Sequence, residues 1–293
     1  MLTQVETFIH YGLYSLMAWF AIVYCRIVFI FLSKPKYRNL ECYRIMTQQG
    51  LVQILTIPGT ILRALTILTR LNFFGLTSLF SKVFAASIRV EAALGFVLSL
   101  NRLKIMCGLR YPSYVHMVLI LASYAYGLLL IAVMLSPYTD YYFDPDEFVG
   151  NYNHSLPWTK TLIEVNRIVA VVTHTATLVV YIIIIVYLIW VKHKSSQIAN
   201  FNSERTILLY AGIRFSFDMV LVVIYFFFTL PKLQWVAFTI ALAYDVNNLV
   251  VSPVLYLTLY KKLRNEFIPE VFRLKRRKVT VTQMSRTDPT RYL

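Results

Sequence analysis

The sequence predicts an all-α membrane protein with a bundle of seven transmembrane helices. Of the 293 residues, 58% are hydrophobic and only 15% are charged, whereas a soluble domain carries about 25% charged residues. The charges are clustered, and the apolar stretches between them have the length of about 20 residues that a helix needs to cross a bilayer. Runs such as 168–191 are continuously apolar and lack the alternation of membrane strands, so a barrel is not expected.

The spans follow a short extracellular amino terminus at 1–7 and make up a bundle at 8–260. We expect the seven spans at about 8–32, 42–66, 76–103, 114–136, 162–191, 206–230 and 235–260. A basic amphipathic juxtamembrane helix at 261–278 comes next, because charged and apolar residues alternate there at helical spacing. The polar tail at 279–293 is expected to be disordered in the cytoplasm.

The basic residues predict an amino terminus outside and a carboxyl terminus inside. Most of them lie after the first, third, fifth and seventh spans, whereas the opposite side has only Arg70, Lys160 and Lys232. Positive charge accumulates on the cytoplasmic side of membrane proteins. The net charge of +15 therefore reflects topology and contact with the lipid bilayer, and no nucleic acid partner is expected. Contact with anionic lipid is assigned to a basic cluster of Arg273, Lys275, Arg276, Arg277 and Lys278.

The longest outer connection, 137–160, carries an Asn-x-Ser sequon, so Asn153 is a candidate glycosylation site. The acidic and aromatic residues around it are those of an ordinary solvated loop or of a vestibule that favours cations. None of the three cysteines, Cys25, Cys42 and Cys107, falls in an outer segment. We therefore expect no extracellular disulfide.

Several polar side chains lie inside the predicted spans, where charges are costly and usually face protein partners. Glu91 lies about 16 Å above Arg102 on the same helix, and Gln53 and Asn248 fall at a similar depth. We expect Gln53, Glu91 and Asn248 to form a polar core, which is either a satisfied hydrogen-bond network or a hinge that holds water or an ion. Two pairs are spaced for direct contact within one helix: Arg214 with Asp218, and Glu164 with Arg167.

No enzyme class is supported, since zinc-protease, nucleophile-elbow and phosphate-loop motifs are missing. We expect no catalytic residues, no metal site and no cofactor. A retinal cofactor would need a lysine in the seventh span, and none occurs between Trp235 and Tyr260. Pro58 and Gly59 mark a single kink site in the second span, without the paired broken helices of a transporter.

Asn101 and Arg102 end the third span. An arginine there is either a snorkelling anchor that reaches water or a cytoplasmic switch residue. The segment 252–256, Ser-Pro-Val-Leu-Tyr, ends the seventh span just before the basic amphipathic helix. With these motifs the chain resembles the G-protein-coupled receptors, whose third helix ends in Asp-Arg-Tyr and whose seventh ends in Asn-Pro-x-x-Tyr. The resemblance implies that Asn101 and Arg102 couple to a heterotrimeric G protein, and that Pro253 and Tyr256 form an activation hinge and its latch.

More narrowly, the chain resembles the nematode serpentine chemoreceptors, and is similar to the class T branch or a relative of it. The likeness is carried by Cys-Tyr-Arg-Ile-Met at 42–46, Gly-Leu-Val-Gln at 50–53 and Leu-Ser-Leu-Asn-Arg at 98–102. The chain departs from the receptor pattern because the outer disulfide and the acid before the arginine are missing. Gln53 also replaces the aspartate usual in the second helix, which leaves Glu91 to supply a negative charge.

The resemblance implies a chemosensory receptor of the plasma membrane, for example in the ciliary membrane of sensory neurons, that binds a small ligand from outside. From polarity and depth, Arg89, Arg167 and Asp245 are candidate ligand-binding residues. An anionic ligand is favoured if either arginine points inward unpaired. Two alternatives stay open: a ligand-gated channel subunit with its amino terminus inside, and a receptor-like partner protein that has lost coupling.

Overall fold

The computed structural model describes residues 4–69, 71, 75–144, 149–194, 201–228 and 234–267. The helices are α1 (Gln4–Ser33), α2 (Pro35–Arg38), α3 (Glu41–Ile54), α4 (Ile57–Thr69), α5 (Leu76–Met106), α6 (Tyr114–Met134), α7 (Thr159–Lys194), α8 (Phe201–Phe227), α9 (Gln234–Val246), α10 (Ser252–Leu259) and α11 (Lys261–Phe267). A π-helical segment, Asn247–Val251, joins α9 to α10, and the strands β1 (Tyr141–Asp144) and β2 (Val149–Tyr152) lie between α6 and α7.

Within the described residues, seven helical spans are long and apolar enough to cross a membrane. They are Gly12–Ser33, Glu41–Thr69, Leu76–Met106, Tyr114–Met134, Thr159–Trp190, Thr206–Tyr225 and Phe238–Leu259. Each overlaps one predicted span, so the predicted all-α bundle of seven helices is confirmed. Following the predicted orientation, we name the end that carries β1 and β2 the outer end, and the end that carries Arg102 the inner end.

The second span is broken near its middle, where α3 ends at Ile54 and α4 begins at Ile57. Pro58 follows this break, and a proline is tolerated in the first turn of a helix because its missing N–H has no helical partner there. Gly59 lets α4 approach α5 closely, since a Cβ at this position would lie 2.9 Å from the carbonyl oxygen of Phe80. The break confirms the kink predicted at Pro58 and Gly59.

The helix α5 lies in the middle of the bundle and contacts α3, α4, α6, α7 and α8. Its neighbours approach through small residues, as membrane helices commonly do; a Cβ on Gly127 of α6 would overlap the side chain of Val90. Leu94 and Leu98 of α5 are almost completely buried. The polar residues of α5 are therefore presented to the bundle interior along most of its length.

The seventh span changes helix type in its middle. Pro253 has no N–H, so it cannot donate the usual bond to the carbonyl of Leu249, and the chain is π-helical over Asn247–Val251, just before the proline. Such turns are rare and occur frequently at functional sites. The turn buries two consecutive asparagines, Asn247 and Asn248, in the bundle interior.

The predicted outer loop contains a structured hairpin, because β1 and β2 pair as antiparallel strands. Tyr141 lies opposite Tyr152, and their ring centres are 4.8 Å apart. An ion pair of 2.8 Å between Lys82 Nζ and Asp140 Oδ1 ties the start of the hairpin to α5. All three cysteines are free, so polar and aromatic contacts hold the hairpin against the bundle.

Asn153, the predicted glycosylation site, directly follows the hairpin. Its side chain is partly exposed, and its Oδ1 accepts a hydrogen bond of 3.1 Å from the backbone N–H of Ser155. The sequon is thus in a turn at the outer end.

At the inner end, α11 packs against the connection between α1 and α3. Glu266 contacts Lys34 at 3.3 Å and Lys36 at 3.5 Å, and the guanidinium of Arg26 lies 5.1 Å from the ring centre of Phe267. The remainder of the predicted amphipathic helix and the tail at 279–293 lie outside the described residues. So does the basic lipid-contact cluster of Arg273, Lys275, Arg276, Arg277 and Lys278.

Candidate functional site

A cavity of about 70 Å³ lies beneath the hairpin at the outer end. Its polar lining consists mainly of Arg63, Arg89, Asn166 and four tyrosines, Tyr141, Tyr152, Tyr225 and Tyr244. Gly150 makes room for the ring of Tyr141, which a Cβ at position 150 would overlap. Burial raises the pKa of Tyr152 to about 12, so this hydroxyl is a neutral hydrogen-bond donor at physiological pH. The charge of the cavity therefore comes from its arginines.

A buried ion pair adjoins the cavity. Arg63 of α4 donates from Nη2 to Oδ1 of Asp245 on α9 at 2.7 Å, and the hydroxyl of Thr60 donates to the same oxygen at 2.8 Å. The guanidinium lies 3.9 Å from the ring centre of Phe84. Asp245 balances the charge of Arg63, while no acidic residue is among the described residues that line the cavity. Arg89 of α5 is the second arginine of the lining.

The structure separates the three predicted ligand-binding residues. Arg89 of α5 lines the cavity, whereas Asp245 is held behind it by Arg63. Arg167 does not line the cavity: its Nη2 contacts Glu164 at 2.5 Å, and both side chains are nearly half exposed. The condition of an inward, unpaired arginine is therefore not met by Arg167.

Arg214 of α8 is the centre of a buried polar network midway along the bundle. Its Nη2 contacts Glu91 of α5 and donates to Oδ1 of Asn248 at 2.9 Å. Its Nη1 donates to the backbone carbonyl and the side chain of Asn247. The predicted contact with Asp218, one turn further along α8, is present at 3.4 Å. One guanidinium thereby joins the third, sixth and seventh spans.

The network continues into the first and second spans. Nε2 of Gln53 donates to Oε1 of Glu91, and the hydroxyl of Tyr24 donates to Oε1 of Gln53. The predicted polar core of Gln53, Glu91 and Asn248 thus lies in one place, joined through Arg214. A network of side-chain hydrogen bonds occupies this part of the bundle.

Arg102 is buried at the inner end of α5, with only 1% of its surface exposed. Its Nη2 donates to Oδ1 of the neighbouring Asn101 at 3.0 Å. The asparagine therefore contacts the arginine from the position where the receptor motif has an acid. A snorkelling anchor would hold its guanidinium in water, so that alternative does not describe this conformation.

Tyr256 of α10 belongs to an aromatic cluster near the inner end. Its ring stacks on Tyr210 of α8 with centres 4.6 Å apart and meets Phe31 of α1 edge-on at 5.4 Å. Pro253 lies one turn earlier, at the start of α10. Tyr256 consequently connects the seventh span to the sixth, which is the contact that a latch requires.

Two polar residues of these sites were not among those predicted. Arg63 is an arginine deep within the second span, and a buried arginine needs an acid on a facing helix. Asp245, without a partner of its own in span seven, was an available one. Glu41, whose Oε2 accepts a hydrogen bond of 3.1 Å from Nδ2 of Asn101, lies at the start of the second span, where charge is ordinary. Nothing in the sequence marks Glu41 as part of a buried contact.

No protein-family model matches the sequence, and no curated protein has a significantly similar sequence. The fold is similar to that of the crystal structure of squid rhodopsin, with a TM-score of 0.72 and 11% identity over 93% of this chain and 88% of that chain. At this identity the likeness shows the fold alone, a seven-helix bundle like that of rhodopsin. The resemblance to G-protein-coupled receptors, and the narrower one to nematode serpentine chemoreceptors, stay predictions. With its seven apolar spans, the chain is a multi-pass membrane protein with a rhodopsin-like fold.

Proposed function

We propose that the chain is a chemosensory G-protein-coupled receptor that binds a small anionic ligand in the outer cavity and signals to a heterotrimeric G protein through Arg102. One observation carries this proposal: a basic cavity at the outer end and a buried arginine at the inner end lie in one bundle, with the Arg214 network between them. The rhodopsin-like fold supports the same function.

The lining of the cavity favours a compact carboxylate as the ligand. A carboxylate accepts charge-assisted hydrogen bonds from arginine and from neutral tyrosine hydroxyls, and Arg89 and Tyr152 both line the cavity. The volume of about 70 Å³ is small beside the 300 Å³ or more of a typical drug-sized site. A ligand with few non-hydrogen atoms fits without displacing the hairpin.

Activation is a shift between two arrangements of the bundle. A ligand beside Arg63 and Asp245 acts on α9, and the π-helical segment directly after α9 supplies the two asparagines that hold Arg214. Loosening these contacts frees the sixth span to move, as rigid elements do in receptor switching. Movement of the sixth span away from α5 then exposes Arg102 to the G protein.

The test is a G-protein dissociation assay on cells with measured surface expression. Arg102→Ala is expected to reduce the signal to background, because the arginine is the proposed contact with the G protein. Arg89→Ala is expected to raise the half-maximal concentration of an active carboxylate about tenfold or more, the cost of a lost charged hydrogen bond. Arg167→Ala is the matched control, since this arginine is exposed, contacts Glu164 on its own helix and does not line the cavity.

Equal surface levels with no signal in any variant, across a panel of small carboxylates and neutral analogues, would contradict coupling. A signal that persists in Arg102→Ala would show that another residue makes the contact with the G protein. A signal that only neutral or cationic ligands evoke would leave a receptor with a different ligand class.

The proposed receptor resides in the plasma membrane, including the ciliary membrane of sensory neurons, with its amino terminus outside. Glycosylation at Asn153 follows from this orientation, and Asn153→Gln is expected to remove a glycosidase-sensitive mass shift. Labelling of an amino-terminal tag from the cytosol would instead favour the channel-subunit orientation.

A further inference from the structure

Glu41 is the centre of a second polar cluster, at the inner end of the bundle. It lies in the first turn of α3, and its Oε1 is 2.9 Å from Nδ1 of His116 on α6. Its Oε2 accepts a hydrogen bond of 3.1 Å from Nδ2 of Asn101 on α5 and is 3.6 Å from Nζ of Lys104. One carboxylate therefore binds two neighbouring helices to the start of the second span.

Further contacts hold the side chains around Glu41 in place. The hydroxyl of Tyr111 is 2.9 Å from Nε2 of His116 and donates to the carbonyl of Leu100 at 3.1 Å. Nζ of Lys104 donates to the hydroxyl of Ser113 at 3.2 Å. The side chain of His116 is 2% exposed and that of Glu41 is 21% exposed. The carboxylate is thus largely shielded from water, which strengthens its contacts.

The side chain of Asn101 connects this cluster to Arg102, and the two ends of its amide have different partners. Its amide nitrogen is used by Glu41, so its amide oxygen is the end that faces Arg102, at 3.0 Å. A hydrogen bond to a charged acceptor is about twice as strong as a neutral one. The carboxylate therefore determines which end of the Asn101 side chain the arginine meets.

We propose that Glu41 is a positioning residue that holds Asn101 in this orientation and, through it, keeps Arg102 buried in the resting receptor. The inference rests on the proposed coupling role of Arg102. The negative charge that the receptor motif places directly before the arginine comes here from the second span and acts across an asparagine. Loss of Glu41 lets Asn101 turn and thereby weakens the contact that Arg102 makes with its amide oxygen.

The first test compares basal G-protein activation in four forms of the full-length receptor at equal surface expression. Glu41→Gln is expected to raise basal activity at least threefold, because the charge on the acceptor is lost. Asn101→Asp is expected to do the same, because two carboxylates then face each other. The double variant Glu41→Gln and Asn101→Asp exchanges the amide and the carboxylate between the two positions. The side-chain amide at position 41 can then donate to the carboxylate at position 101, and this carboxylate accepts from Arg102.

The double variant is expected to return to within about twofold of the wild-type basal activity. A residue with a merely structural role would give a double variant at least as active as either single one, and that result would overturn the inference. Glu164→Gln is the control for removal of a carboxylate, because Glu164 is exposed and contacts Arg167 on its own helix; it is expected to change nothing.

A second readout does not depend on the G protein. Cys107 caps the end of α5, and burial raises the pKa of its thiol, so its alkylation by a water-soluble maleimide is slow and reports on the inner end of α5. Peptide-resolved mass spectrometry distinguishes it from Cys25 and Cys42. Glu41→Gln is expected to speed the alkylation of Cys107 at least threefold, and the double variant to slow it again.

The two readouts separate the failure of this inference from that of the proposed function. If no form signals but the alkylation follows the expected order, the positioning role stands and the proposed coupling fails. If wild type signals through Arg102 while Glu41→Gln changes neither basal activity nor alkylation, coupling stands and the positioning role of Glu41 is wrong.

Discussion

Two of the buried arginines in the bundle are held in very different ways. Arg63, near the outer end, has one carboxylate partner, Asp245 at 2.7 Å. Arg214, midway along the bundle, contacts two carboxylates, Glu91 and Asp218, together with oxygens of both buried asparagines. The first arrangement is an ion pair between two spans, whereas in the second one guanidinium directly joins three.

This difference suggests different roles. Arg63 lines the cavity, where a ligand carboxylate can compete with Asp245 for it. The cavity beside Arg214 has a volume of only about 30 Å³, less than half that of the outer cavity. Under the proposed function, the outer pair detects an anion, and the contacts of Arg214 set the resistance to movement of the sixth span.

Arg214→Leu is expected to have the largest effect on stability. It leaves Glu91 buried without its cation, and breaking a buried ion pair from one side costs about 3–5 kcal/mol. Glu91→Gln is expected to cost only about 1–2 kcal/mol, because Arg214 keeps Asp218 and Asn248. Thermal unfolding of the purified receptor in detergent measures both. Equal losses in the two variants would contradict the description of Arg214 as the centre of the network.

Asp245→Asn is expected to cost about 3 kcal/mol, the lower end of the range for a broken buried pair, because an amide oxygen can still accept from Arg63. Sodium acetate is expected to restore part of the lost stability relative to sodium chloride of equal ionic strength, since an anion that binds the folded state stabilises it. Glu91→Gln is the matched control, because Arg214 keeps the carboxylate of Asp218 as a partner and the cavity beside it is only about 30 Å³. Rescue of both variants, or of neither, would remove the distinction between the two sites.

The spans could be predicted from the sequence because the bilayer imposes a minimum apolar length on each helix. Contacts within one helix could be predicted as well, since helix geometry alone brings residues three or four apart together. The Arg214–Asp218 and Glu164–Arg167 contacts are both of this kind. The same reasoning was insufficient for the exposure of Arg167, because local spacing does not determine which face of a helix meets lipid.

For contacts between helices, the sequence predicted only that the residues lie at a similar depth in the membrane. Arg63 and Asp245 are 182 positions apart, and Arg214 and Glu91 are 123 apart. Their meeting depends on the rotation of each span and on which spans are neighbours, and these follow from packing of the whole bundle. The π-helical turn at Asn247–Val251 adds a local rotation that a regular helical spacing does not contain.

The exposed ion pairs of Glu266 give the smallest expected loss of stability in this comparison. Glu266 contacts Lys34 and Lys36, whose side chains are 47% and 52% exposed, so Glu266→Gln is expected to cost less than about 1 kcal/mol. Although partial burial of Glu266 acts to raise its pKa, the nearby hydroxyl of Tyr37 and the charges of Lys34 and Lys36 lower it overall.

A lowered pKa in the folded state gives stability at neutral pH that is lost as the pH falls through that value. The contacts of α11 are therefore expected to weaken only below about pH 4.3, the ordinary pKa of a glutamate. Hydrogen exchange of α11 measured between pH 7 and pH 4, corrected for intrinsic exchange rates, checks this. Release of α11 already near pH 6, or a loss in Glu266→Gln as large as in Asp245→Asn, would show that burial does not govern the cost of breaking these pairs.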